Sequence, residues 1–108
     1  MNTIKSSREI DMIFRESRRA AHPLGVVLIA KTPDGRGPGG RVAFIAGKRI
    51  GNAVVRNRAK RVLRATVARA GGPLPGHDVA LIANARTGSA SPDELDRMLA
   101  RAYRKALQ

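Results

Sequence analysis

The 108-residue sequence predicts an α+β fold: one domain, residues 1–108, in which helices pack on one small sheet as an α-β sandwich. Three observations lead there. Helix-spaced apolar patterns and strand-like apolar runs interleave in the order α-β-β-α-β-α. Clusters of Gly and Pro at 32–40 and 71–76 punctuate that order. The length suits a single modest core, and with aromatics at only 3% that core must be built from Val, Ile, Leu and Ala.

Residues 1–5 read as a loose terminus. Ser6 and Glu9 stand at capping-box spacing, and Ile10, Ile13 and Phe14 then recur at i, i+3, i+4, which predicts a short helix ending near Ser17. A basic connector, 17–23, follows, with room for a brief extended piece. Leu24 to Lys31 reads as a strand, and so does Arg41 to Gly47, with Val42, Phe44 and Ala46 on one face and Ala43 and Ile45 on the other. The Gly-rich segment between them suggests that these two strands pair as a hairpin. Asp78 to Asn84 is a continuous apolar run suited to a buried strand. Ser91-Pro92-Asp93-Glu94 is a helix start, with Ser91 as cap, Pro92 at the first position and Glu94 closing a capping box. Leu95, Met98, Leu99, Ala102 and Ala106 give that last helix its apolar stripe.

The most informative stretch is 47–64, which holds seven basic residues and no acid. From Asn52, a plausible N-cap after Gly51, no Gly or Pro occurs until Gly71, so a single helix is expected. Val55, Ala59, Val62, Leu63, Thr66 and Ala70 share an arc of roughly 100° that suits a core. Arg56, Asn57, Lys60, Arg61 and Arg64 fill a separate arc of roughly 140°, with Arg58 and Arg69 on another flank. Arg56, Lys60 and Arg64, at i, i+4, i+8, repel one another by a few tenths of a kcal/mol per pair. Ten Lys or Arg and no Asp or Glu lie between Asp34 and Asp78. A solubilising surface mixes signs. With a net charge of +13 and a pI near 11.8, the unmixed sign points to a polyanion, and phosphates spaced along a nucleic acid suit such a ridge. Asn57 is open to two roles, bonding a base edge or sugar hydroxyl, or capping a neighbouring backbone group.

Bond-breaking chemistry is hard to assemble. His22 and His77 are isolated beside Pro and Gly, and Ser89 and Ser91 lack a His-Asp set. Asp93, Glu94 and Asp96 are explained by capping and the helix dipole. Residues 35–40 lack the Lys-Ser/Thr of a phosphate loop. The absence of Cys excludes disulfides and thiolate metal sites and fits a cytoplasmic protein. No apolar run is long enough for a signal peptide or a membrane span.

The segment Lys48-Arg49-Ile50-Gly51-Asn52-Ala53-Val54-Val55-Arg56-Asn57-Arg58-Ala59-Lys60-Arg61-Val62-Leu63-Arg64 resembles the "RNR" signature of the bacterial ribonuclease P protein family, and the similarity extends more weakly over nearly the whole chain. The resemblance implies a protein subunit that binds a catalytic RNA and the 5′ leader of precursor tRNA, helping to remove that leader. The RNA performs the phosphodiester hydrolysis with Mg2+, so the protein needs no catalytic residue, no metal site and no tightly held cofactor. No obligate protein partner is evident. The signature positions correspond to Lys48, Arg49, Asn52, Arg56, Asn57, Arg58, Lys60, Arg61 and Arg64, which imply RNA binding. The implied leader cleft involves Ile10, Phe14 and Leu28, with charge from Lys5, Arg8, Arg18 and Arg19. The family places aromatics at the positions of Ile10, Phe14 and Leu28; here only Phe14 is aromatic, and a Gly common near Ser17 is missing. The family fold further implies a left-handed β-α-β crossover through the basic helix, against the usual right-handed preference.

Three other readings compete. A small ribosomal protein would be equally basic but would need no substrate cleft. A DNA-binding module would need a second helix a tight turn from the basic one, and none is there. A stand-alone nuclease would need an acid or His cluster, which is missing.

Overall fold

A computed structural model describes residues 3–32 and 40–108. Its helices are α1 (Ser7–Glu16), α2 (Ala53–Arg69) and α3 (Pro92–Ala106), and its strands are β1 (Arg18–His22), β2 (Gly25–Lys31), β3 (Arg41–Ile45) and β4 (His77–Ala83). Short 3-10 turns cover Lys48–Ile50 and Thr87–Ser89. The predicted α+β class holds, with three helices on one mixed sheet.

The strand order is β1-β2-β4-β3. β2 and β3 therefore do not form the predicted hairpin. β4 lies between them, antiparallel to β2 and parallel to β3. The hairpin is one element earlier: the basic connector folds into β1, which pairs with β2 from Arg18↔Ile29 to His22↔Gly25. The continuous apolar run of β4 is the reason. A strand buried on both faces belongs in the sheet interior, and most of β4 is buried. Residues 33–39, most of the Gly-rich loop, lie outside the described residues.

Alternation along the strands makes two cores. On one face Val27, Ile29, Val42, Val79 and Leu81 pack against Ala59, Leu63 and Val67 of α2 and Leu95, Met98, Leu99 and Ala102 of α3. On the other, Leu28, Ala43 and Ala80 pack against Ile4 and Ile13, with Ile10, Val26, Ile45 and Ile82 alongside. The two predicted faces of the Arg41–Gly47 strand divide between these cores.

From Thr3 onward the N-terminal segment is tied down rather than loose, with Thr3 bridging Val42; residues 1–2 lie outside the described residues. Ile4 is buried, and its N–H donates to Val42 O at 2.7 Å. The predicted Ser6–Glu9 capping box does not form, because the Ser6 side chain makes no cap bond. Glu9 instead pairs with the guanidinium of Arg41, which also lies 3.5 Å from the buried carboxylate of Asp78. A charge-assisted contact outweighs a neutral cap. At α3 the predicted box is complete: Ser91 N–H donates to Glu94 Oε1 and Glu94 N–H to Ser91 Oγ. The Ser91 backbone hydrogen bond, then its hydroxyl, holds the Glu94 carboxyl below its ordinary pKa.

Candidate nucleic-acid interface

The basic segment enters its helix through a turn that only glycine fits. Gly51 has φ +147°, and a Cβ there would lie 2.9 Å from the Val55 side chain. Asn52 then caps α2, its Oδ1 accepting from Val55 N–H at 3.0 Å. Lys48 and Arg49 are exposed on the preceding turn.

The buried face of α2 is rotated from the predicted arc by roughly 35°. Ala59, Leu63, Thr66 and Val67 are buried, whereas Val55 and Ala70 are exposed. The rotation follows from Val67, which fits between the sheet and α3 better than the terminal Ala70 beyond the helix end. It turns Arg56 partly inward: that side chain is half-buried, and its Nε is enclosed without a hydrogen-bond partner among the described residues. Of the predicted row Arg56-Lys60-Arg64, only Arg64 is fully exposed; Arg56 and Lys60 are both partly buried. Lys60 is half-exposed, and Asn57, Arg61 and Arg64 are exposed on the outer arc.

Several side chains have structural partners as well. Arg58 Nε donates to Gly88 O at 2.9 Å, anchoring α2 to the turn after β4. Arg64 lies over the Phe44 ring. Arg69 Nε donates to Asp96 Oδ1 at 2.9 Å, joining α2 to α3. Asp96, read from sequence as a dipole residue, has that ion-pair role. Among the described residues Asn57 makes no side-chain hydrogen bond, so the capping alternative is not realised.

The sheet face under α1 carries the second candidate region. Residues aligned across the strands form rows there: Arg19-Leu28-Ala80-Ala43 and Ala21-Val26-Ile82-Ile45. Leu28, expected to line a cleft, is 3% exposed and lies among the residues packed with α1. The second row is open, with Val26, Ile82 and Ile45 half-exposed. These three were missed because a continuous apolar run says which strand is buried, but not how far a helix covers it. Ile10 packs against the buried cluster on this face, and Phe14 is 51% exposed, so it is no core residue. Phe14 lies roughly 140° around α1 from Glu9. Lys5, Arg8 and Arg19 are exposed, Arg19 aligning with Leu28 on this face. Arg18 does not belong to the cleft. It aligns with Ile29 on the opposite face, where its guanidinium donates to Lys105 O at 3.2 Å. Strand alternation forbids two successive residues from sharing a face.

Both histidines have local partners rather than serving as free surface residues. His22 Nδ1 accepts from Leu24 N–H, and His77 Nδ1 lies 2.8 Å from Pro75 O. Among the described residues no three His, Cys, Asp or Glu side chains converge to hold a metal ion, and no helix is long and apolar enough to cross a membrane.

Fold and surface together define a class: a small α+β sandwich presenting a cationic helix and a partly open sheet face. The family profile for Ribonuclease P matches residues 1–107. The chain is 36% identical over 95 residues to a ribonuclease P protein component of Syntrophomonas wolfei, covering 87% of this chain and 77% of that one. It is 36% identical over 121 residues to one of Corynebacterium efficiens, covering 97% and 91%. In fold it is similar to the RNase P proteins of Staphylococcus aureus (TM-score 0.80, 21% identity, 98% and 95% of the two chains) and Thermotoga maritima (TM-score 0.78, 20% identity, 97% of each). The chain belongs to the ribonuclease P protein family.

Proposed function

We propose that this chain serves ribonuclease P as its RNA-binding subunit. It holds the catalytic RNA on the α2 surface and the 5′ leader of precursor tRNA along the open sheet row beside α1. One observation carries the reading: Asn57, Lys60, Arg61 and Arg64 share the outer arc of α2, with Lys48, Arg49 and Asn52 at its head and no carboxylate in 35–77. Arginine guanidinium matches phosphate bidentately, and a ridge without counter-charge finds it on the nucleic acid. Arg56 contributes through its half-exposed end, and Arg58 mainly as an anchor.

The RNA performs the hydrolysis with Mg2+, which the holoenzyme requires, and the chain contributes charge and position. Neutralising phosphates lets RNA and substrate approach with fewer bound cations. Leader contact rests on Val26, Ile45, Ile82 and Ile10 as an apolar floor, Phe14 as the stacking ring, and Lys5, Arg8 and Arg19 as charge. No further protein is required, and the complex works in the cytoplasm.

The test is binding to the catalytic RNA. Arg61→Ala or Arg64→Ala weakens it by about 1–3 kcal/mol each if the contacts are charge-assisted hydrogen bonds. Arg69→Ala weakens it less, because its guanidinium is engaged with Asp96. Affinity falls with salt by roughly 0.7–0.9 log units per log unit for each phosphate neutralised. A flat salt dependence, or equal losses at all three positions, contradicts the proposal.

A further inference from the structure

A second cationic surface lies beyond α2. Around α3, Leu95, Met98, Leu99 and Ala102 face the core. One flank turns to the α2 side, where Asp96 takes Arg69 and the Tyr103 hydroxyl donates to Gly72 O. The other flank carries Arg97, Arg101, Arg104 and Lys105, all exposed, and faces the edge strand β1. Between that flank and β1 lie two cavities of about 460 and 340 Å3. They share His22, Arg101 and Arg104 and so form one groove.

The side chains that line it are unmixed in sign. Arg97, Arg101, Arg104 and Lys105 border it, and no Asp or Glu does. Glu94, one turn before Arg97, closes the Ser91 capping box and also feels the Arg97 charge, so Arg97 is partly compensated. Arg101, Arg104 and Lys105 have no carboxylate side chain in the lining. Arg97 and Arg101, and Arg101 and Lys105, stand at i, i+4, a spacing at which like charges repel. The His22 ring is fixed by the bond from Leu24 N–H to Nδ1, so the neutral ring carries its proton on Nε2 as a donor. The floor is small, with Ala20, Ala21 and Ala102, so a chain can lie close to the backbone.

We infer that this groove is a second RNA-binding surface, taking the phosphodiester backbone of a segment other than the one on α2. Arg97 to Arg104 spans about 10 Å of helix, over which phosphates of one strand can each meet a guanidinium. No Phe, Tyr or Trp lines it and its one ring, His22, is held by the Leu24 N–H, so it reads backbone rather than base. A membrane surface fits poorly, because the apolar lining is Ala, Pro and Met in the floor rather than a protruding rim. With α2 carrying one segment and the α3–β1 groove another, the protein bridges two parts of an RNA assembly. The inference rests on the proposed ribonucleoprotein role only for the identity of those RNAs.

The experiment uses the full chain and a fluorescent 12-nucleotide oligouridylate, titrated across a salt series. Arg101→Ala/Arg104→Ala lowers affinity roughly tenfold or more near 0.1 M salt and removes about 1.4 from the log–log salt slope, 0.7 per single-strand phosphate. Arg101→Lys/Arg104→Lys restores the slope. The same decrement recurs in an Arg61→Ala/Arg64→Ala background. An unchanged slope in the alanine pair overturns the inference. So does displacement of the probe from the groove by a 12-residue oligoglutamate as readily as by unlabelled oligouridylate, which would assign the groove to an acidic protein. Because the probe is a free oligonucleotide, the outcome is independent of whether the chain activates a catalytic RNA, which reconstitution tests separately.

Discussion

The guanidinium of Arg64 lies over the ring of Phe44, with Cζ 5.2 Å from the ring centroid. Phe44 belongs to β3 and packs with the core under α2, while Arg64 is on the outer arc. One contact thus ties the seating of α2 on the sheet to the aim of a charge proposed to meet RNA.

Phe44→Leu keeps most of the apolar packing and removes the π face. The lost cation–π contact is worth roughly 0.5–1 kcal/mol at a partly exposed site. RNA affinity is expected to fall by less than in Arg64→Ala, and Phe44→Leu is expected to add nothing in the Arg64→Ala background. A double-mutant cycle of RNA affinities reads this coupling directly.

Phe14 is exposed on α1, the helix that covers the sheet face with the open row, and it is the one aromatic among Ile10, Phe14 and Leu28. A base stacked on such a ring is worth roughly 1–3 kcal/mol. Phe14→Leu is expected to leave folding intact and to reduce the holoenzyme's preference for precursor over mature tRNA by up to that amount. Competition binding with the two RNAs checks it, and a full retained preference rules out stacking here.

Tyr103 reports on the α3–α2 seam. Burial pushes its phenol up to about 12, against a weaker opposing backbone hydrogen bond from Leu74. A pKa raised in the folded state contributes stability that is fully present below the unfolded value near 10 and is lost as pH climbs toward 12. Denaturant midpoints of wild type are therefore expected to fall more steeply between pH 10 and 12 than those of Tyr103→Phe. Parallel curves would show that the phenol is not buried in the folded chain.

The sequence made the helices legible because their signals are local. Asn52 at the head of α2 and the Ser91–Glu94 box are both realised as hydrogen bonds within one turn. Strand pairing was not legible, since a Gly-rich loop reports only that the chain turns, while β4 is drawn between β2 and β3 by burial on both faces. Thr87 shows the same limit. It is fully buried, its hydroxyl donating to Leu24 O at 2.6 Å and accepting from Asn84 N–H at 2.9 Å. Nothing in Arg86-Thr87-Gly88 announces a partner more than sixty positions away. At the candidate site, residue types on α2 were readable, but a rotation of roughly 35° was enough to turn Arg56 inward. Arg18 and Arg19, adjacent and equally basic, part to opposite faces only once β1 exists.

The central claim is that the chain assists an RNA that carries the chemistry, and reconstitution tests it most directly. Purified, nuclease-free protein is added to a ribonuclease P catalytic RNA and precursor tRNA at low magnesium, and release of the 5′ leader is followed over time. The RNA alone is expected to be slow, the RNA with this chain fast, and the chain alone inactive. Cleavage by the protein without RNA, or no acceleration when the two are combined, would contradict the account.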